Sequence, residues 1–148
     1  MIQRIQTVYL LLTTVIAVLF LSGDIILFEN GRSLMLTGYA PGGEGTQPEP
    51  ILPLTVMLLI NPFLSLILIF LYKKRKLQMK LTILLIFTIL LTVAMIGYFA
   101  WNLSRASSTD IVFTYKMILP LLMLIFSVLA YAGIKKDEEI VRSYDRLR

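Results

Sequence analysis

The sequence predicts an all-α membrane protein: a four-transmembrane-helix bundle, N and C termini cytoplasmic, with a small extracytoplasmic β-hairpin between helices one and two. Three observations predict it. Apolar residues make up 57% of the 148-residue chain and charged residues only 16%, whereas soluble domains average about 45–50% and about 25%. The apolar residues are gathered into four runs, about 5–21, 51–72, 81–101 and 111–134, and each reaches or approaches the ~20 residues that span ~30 Å of hydrocarbon. Between the second and third runs stand Lys73, Lys74, Arg75, Lys76 and Lys80 with no acidic neighbour, and Lys and Arg collect in short cytoplasmic loops.

The first run follows Met-Ile-Gln-Arg, so Arg4 marks its inner end. A basic start before an apolar stretch also describes a signal peptide. This run is longer than a typical signal core, and Phe20, Leu21, Ser22 and Gly23 make a poor small-x-small cleavage site. The expectation is a retained, slightly short helix.

The extracytoplasmic loop, 22–50, divides in two. Residues 25–36 carry Asn30-Gly31, the favoured pair for a two-residue hairpin turn because both positions need φ > 0. That turn sets Glu29 opposite Arg32, Leu27 opposite Leu34 and Ile25 opposite Leu36. The alternative extends helix one across Gly23 and Asp24 to Phe28. Strands apolar on both faces belong at a membrane surface or under a partner. From Gly38 to Pro50, four glycines and three prolines read as a solvated linker without regular structure.

The second run is entered through Pro53, a position tolerant of proline, and Asn61-Pro62 falls near its centre. Pro62 cannot donate to the Leu58 carbonyl, which predicts a kink. The third run ends in Tyr98, Phe99 and Trp101, an interfacial aromatic belt. The fourth contains Lys116 one turn before Pro120, with the Lys116 carbonyl freed by the missing proline N–H and its amine able to snorkel outward. Residues 135–148 form an amphipathic cytoplasmic tail in which Ile140, Val141, Tyr144 and Leu147 recur at helical spacing and Glu138 precedes Arg142 by four. The tail continues helix four or lies on the inner leaflet. Ile140, Val141, Arg142, Tyr144 and Leu147 are its candidate partner-docking residues.

Charge orients the whole as a single integral domain, 1–148. With Arg4, Lys73, Lys74, Arg75, Lys76 and Lys80 inside, cytoplasmic segments hold eleven of the fourteen cations, leaving Arg32, Arg105 and Lys116 outside. The inverted arrangement violates the positive-inside rule. The same distribution accounts for the net charge of +5: the cations flank apolar segments and meet lipid headgroups, so nucleic acid is not the expected partner. The lipid bilayer is, together with other membrane subunits or a second copy of this chain.

Chemistry is hard to place. The chain has no Cys and no His, which excludes disulfides, thiolate and imidazole metal sites and the commonest general base. No phosphate loop, nucleophile elbow, paired intramembrane carboxylates or HExxH motif is present. Catalytic, cofactor-binding and metal residues are therefore none, and no cofactor is expected. Asp137-Glu138-Glu139 reads as surface pairing with Lys135, Lys136 and Arg142. Deep polar residues are Thr13, Thr14, Asn61, Ser65, Thr88, Thr92 and Ser127. Ser and Thr can bond back to their own helix, whereas an amide wants several partners, so Asn61 with Pro62 is the candidate buried polar site. It is expected to cap the Leu58 carbonyl or bridge to Thr88 or Thr92. Two small-residue stripes, Ala94/Gly97/Ala100 and Ser127/Ala130/Gly133, permit close helix approach. They lie at different depths, so each needs its own neighbour.

Both ends of the chain carry a resemblance. The start, Met-Ile-Gln-Arg-Ile-Gln-Thr-Val-Tyr-Leu-Leu-Leu, and the end, Ile-Lys-Lys-Asp-Glu-Glu-Ile-Val-Arg-Ser-Tyr-Asp-Arg-Leu-Arg, resemble a family of Bacteroidota membrane proteins known as domain of unknown function 4293. The resemblance implies a four-span layout over the whole chain and an inner-membrane location in a Gram-negative bacterium. It supplies no activity. The sequence thus points to a non-enzymatic integral inner-membrane protein serving as an accessory or assembly subunit of a larger complex. The alternative is a small-molecule or lipid transporter built around the Asn61-Pro62 break, which requires a polar cavity reaching Asn61.

Overall fold

A computed structural model describes residues 5–22, 24–28, 33–35, 38–40, 52–107, 111–112 and 114–146. Four helices carry the fold: α1 (Ile5–Leu21), α2 (Leu52–Phe70), α3 (Arg75–Ser107) and α4 (Leu119–Arg146). Four short strands accompany them: β1 (Asp24–Phe28), β2 (Ser33–Met35), β3 (Gly38–Ala40) and β4 (Ile111–Val112). The helices pack in a ring, each against its neighbours in sequence, with α4 closing on α1.

The packing inverts the order of a soluble protein. Gln6, Thr13, Asn61, Ser65, Gln78, Thr82, Thr88, Thr92 and Ser127 are buried, while Phe63, Phe70, Phe87 and Trp101 are each at least 60% exposed. Water would reject that surface, since contiguous apolar area of this extent is not left exposed by soluble monomers; hydrocarbon accepts it. Three helical stretches, Leu52–Phe70, Arg75–Asn102 and Tyr115–Val141, are long and apolar enough to cross a membrane, and Ile5–Leu21 is a shorter apolar helix.

Two apolar clusters form the core. One joins Phe20, Leu54, Leu58 and Ala100 to Ile25, Ile26 and Leu34 of the strands. The other joins Leu10, Ala17, Leu68, Leu85, Ile89, Met123 and Ala130. On α2, Asn61 and Ser65 lie between the residues of the first cluster and Leu68 of the second.

Several elements differ from expectation. The third helix starts at Arg75 and runs to Ser107, not 81–101. Lys and Arg are good helix formers, so the charge that marks a membrane boundary does not stop a helix. The basic loop 73–80 is consequently mostly helix: Leu71–Lys73 make one 3-10 turn, Lys74 alone lies between the helices (φ −110°, ψ 70°), and Arg75, Lys76 and Lys80 stand in the opening turns of α3. The run 111–134 is likewise not one helix. Ile111–Val112 pair as a strand, Tyr115–Ile118 form a 3-10 turn, and α4 begins only at Leu119. Pro120 thus sits in a first turn, where its missing N–H costs nothing. The Lys116 carbonyl is not freed, because Leu119 N–H donates to it. The Lys116 amine donates to the Ser22 carbonyl, fastening the end of α1 to the entry of α4. Beyond 134, α4 continues unbroken to Arg146.

The strands form one sheet in the order β3-β2-β1-β4. β1 and β2 pair antiparallel as Asp24↔Met35, Ile26↔Leu34 and Leu27↔Ser33, one residue off the pairing that the Asn30-Gly31 turn predicts; residues 29–32 themselves lie outside the described residues. The register also shifts between Asp24 and Ile26. Such a bulge places two consecutive residues on one strand against one on its partner, and here it lets Ile25 and Ile26 both be buried, at 1% and 2% exposure. The linker expected from Gly38 begins as β3, paired with β2 through Ser33↔Ala40, Leu34↔Tyr39 and Met35↔Gly38; residues 41–51 lie outside the described residues.

Candidate functional site

The polar residues of the interior form a seam running between helices. Asn61, 3% exposed, donates from Nδ2 to the Met57 carbonyl at 3.1 Å and to Thr92 Oγ1 at 2.8 Å. Thr92 passes its proton to the Thr88 carbonyl at 2.7 Å. The amide therefore ties α2 to α3 and does not cap Leu58. It joins Met57 because an amide one turn further along reaches the i−4 carbonyl of its own helix. Pro62 is buried beside it, and the Pro62 carbonyl receives Ser65 Oγ at 3.0 Å. Ser65 Oγ also lies 2.9 Å from Thr14 Oγ1, which reaches the Leu10 carbonyl at 2.9 Å. Two hydroxyl protons serve these three contacts, so the α1–α2 link shares them with the helices' own carbonyls. Thr13, Thr82, Thr88 and Ser127 bond back within their own helices at 2.7 to 2.9 Å.

At the basal end a second group converges that the sequence did not single out. Gln6, 4% exposed, donates from Nε2 to Asp137 Oδ2 at 2.5 Å. Arg75 Nη1 donates to the Asp137 backbone carbonyl at 3.1 Å. Gln78 Nε2 donates to the Leu68 carbonyl at 3.0 Å, satisfying an acceptor left open where α2 tightens into its 3-10 turn. The starts of α1 and α3 are thereby fixed to α4. Asp137 thus leaves the surface group expected for it; Lys135 and Glu139 remain an exposed i,i+4 pair at 4.0 Å, of a kind worth little. The one available signal was two glutamines at the edges of apolar runs, whose amides must be satisfied if buried.

The small stripes have different fates. Ser127 and Ala130 are fully buried, and a Cβ added at Gly133 would lie 3.3 Å from Gln6 Cβ, so this stripe carries the close approach of α1 to α4. Tyr9 stacks on Phe126 across the same contact, with centroids 6.3 Å apart. Of the other stripe, Ala100 is buried, but a Cβ at Gly97 would meet nothing within 4 Å.

Other predicted residues sit at the periphery. Lys74, Lys76 and Lys80 are exposed and Arg75 is half-buried. Ile140 and Val141 are 46% and 40% exposed on the distal part of α4. Arg142 and Tyr144 lie in α4, though their side chains, like that of Lys73, are outside the described residues, as are Arg4 and Leu147 entirely. Among the described residues no group of three Asp, Glu, His or Cys is placed to hold a metal ion.

Comparison with known families decides the lineage. The family model described as Domain of unknown function (DUF4293) matches residues 2–147. The chain belongs to that family. No curated protein and no solved structure matches it. Among the described residues of this DUF4293 chain, the seam and the basal clamp are the two groups of interhelical polar contacts described above.

Proposed function

We propose that this DUF4293 protein is a non-enzymatic, four-span integral protein of the inner membrane of a Gram-negative bacterium of the Bacteroidota, acting as an accessory or assembly subunit. Its termini and the basic α2–α3 turn face the cytoplasm, and the small sheet faces the opposite side. The single observation that carries this reading is the form of α4. Its 28 residues extend about 42 Å at 1.5 Å per residue, against ~30 Å of hydrocarbon, so its last turns project from the membrane. The basal clamp holds Asp137 at the point of exit, which sets the direction of the projection. Beyond it Ile140 and Val141 are exposed, an apolar edge on a helix that extends past the hydrocarbon. A partner subunit with an apolar groove fits that edge.

The transport reading requires a polar cavity at Asn61. The cavity beside that residue measures about 10 Å³, room for no more than a single water, which is far short of a solute site.

Affinity purification from native membranes in mild detergent, with prior crosslinking, tests the proposal. The wild-type chain is expected to recover a stoichiometric membrane partner, and Ile140→Asp with Val141→Asp is expected to lose it while the variant remains membrane-inserted and folded. Recovery of a lone monomer after crosslinking contradicts the proposal.

A further inference from the structure

A cavity of about 420 Å³ lies between the C-terminal half of α3 and the first turns of α4, apart from the seam. Its walls include Leu90, Val93, Gly97 and Trp101 of α3 facing Leu121 and Leu124 of α4, and β1 covers it from above. Leu90, Val93, Leu121 and Trp101 are 51%, 45%, 58% and 60% exposed, so the cavity is a groove open sideways, toward the bilayer. It exists because Gly97 presents no side chain and because α4 starts late, after its 3-10 turn, leaving a gap beside α3.

We infer that this groove binds one acyl chain of an anionic phospholipid. Three features select that occupant. From Leu90 to Trp101 the groove follows α3 for about 16 Å at 1.5 Å per residue, the thickness of one leaflet when the whole hydrocarbon core is ~30 Å. Its lining is apolar from Leu90 and Val93 on one wall to Leu121 and Leu124 on the other, which suits hydrocarbon. The mouth carries charge of the right sign: the Arg105 guanidinium lies 4.6 Å over the ring of Trp101, a residue of the groove wall. Lined by hydrocarbon below and cationic above, the groove has the polarity of the lipid it holds. The inference rests on the membrane reading but on neither the orientation nor the partner proposed above.

The test uses purified full-length protein in detergent, titrated with dioleoyl phosphatidylglycerol or with dioleoyl phosphatidylcholine, which has the same chains and no net charge. Bound lipid is counted by native mass spectrometry. One phosphatidylglycerol is expected to be retained in preference to phosphatidylcholine. Gly97→Leu puts a side chain into the groove from a position where a Cβ meets nothing within 4 Å; it is expected to abolish retention without lowering the thermal stability of the lipid-free protein. Arg105→Gln is expected to lower the preference about fivefold, the effect of one cation near an anionic surface. Equal retention of the two lipids, or retention by Gly97→Leu, overturns the inference. So does a disulfide from Gly97→Cys to a second copy or to another protein, in a chain that has no native cysteine. Failure of the chain to partition into membranes at all would instead overturn the membrane reading.

Discussion

Gly133→Leu is expected to destabilise the folded protein by at least about 1–3 kcal/mol, the range for forcing bulk into a packed interior. At this position α4 lies against α1 with room for nothing beyond a Cβ, which would already stand 3.3 Å from Gln6 Cβ and 3.8 Å from Gln6 Cα. A leucine must push α1 away, and the displacement would separate Gln6 from Asp137 and Tyr9 from Phe126. Gly133→Ala is the control. Its single carbon asks for a shift of a few tenths of an ångström, offset by a helix propensity gain of up to ~1 kcal/mol, and its stability is expected to stay near wild type. Reversible unfolding in mixed detergent micelles measures both. A leucine variant as stable as wild type contradicts the close approach.

The second large effect is expected at Asn61. Its Nδ2 donates to two oxygen acceptors, Met57 O and Thr92 Oγ1, so replacing the amide by a carboxylate, which only accepts, sets oxygen against oxygen in the middle of the span. Asn61→Asp is expected to cost about 2.5–3.5 kcal/mol, the insertion penalty of an acid at a helix centre. Asn61→Leu only removes the bonds and is expected to cost about 0.6 kcal/mol and at most about 1.7 kcal/mol, the mean and maximum for interhelical hydrogen bonds in membranes. The order of the two variants is the discriminating result. In the same unfolding assay, an aspartate variant more stable than the leucine variant contradicts the donor role.

These residues show what could be read from the sequence and what could not. The four apolar runs mark the helices because the bilayer demands length and composition alone. Asn61 stood out because an amide in that setting must find partners, yet which ones depended on how α3 turns its Thr92 toward α2, and that is a matter of packing. Helix ends were misplaced where the local rule was silent. Arg75 to Lys80 are as helix-compatible as the leucines that follow, and the stop and restart before Leu119 depend on β4 pairing with β1 through Leu27↔Val112 and Phe28↔Ile111. The Asn30-Gly31 signal suggested a turn but missed the register: Leu27 pairs with Ser33, and the further shift at Ile25 buries two consecutive isoleucines, which no turn rule anticipates. Gln6 and Asp137 are 131 positions apart, a separation over which no periodicity connects them. The stripe at Gly97 was visible as composition; only the helices' divergence turned it into a groove.

The central claim is that the chain crosses the bilayer four times with both ends and the basic turn on one side. Because it contains no cysteine, single cysteines introduced at Thr46 and Ser143 can be labelled with a membrane-impermeant maleimide, in intact spheroplasts and after lysis. Thr46→Cys is expected to be labelled in intact spheroplasts, and Ser143→Cys only after lysis. Labelling of both positions before lysis, or of Ser143→Cys alone, would contradict it.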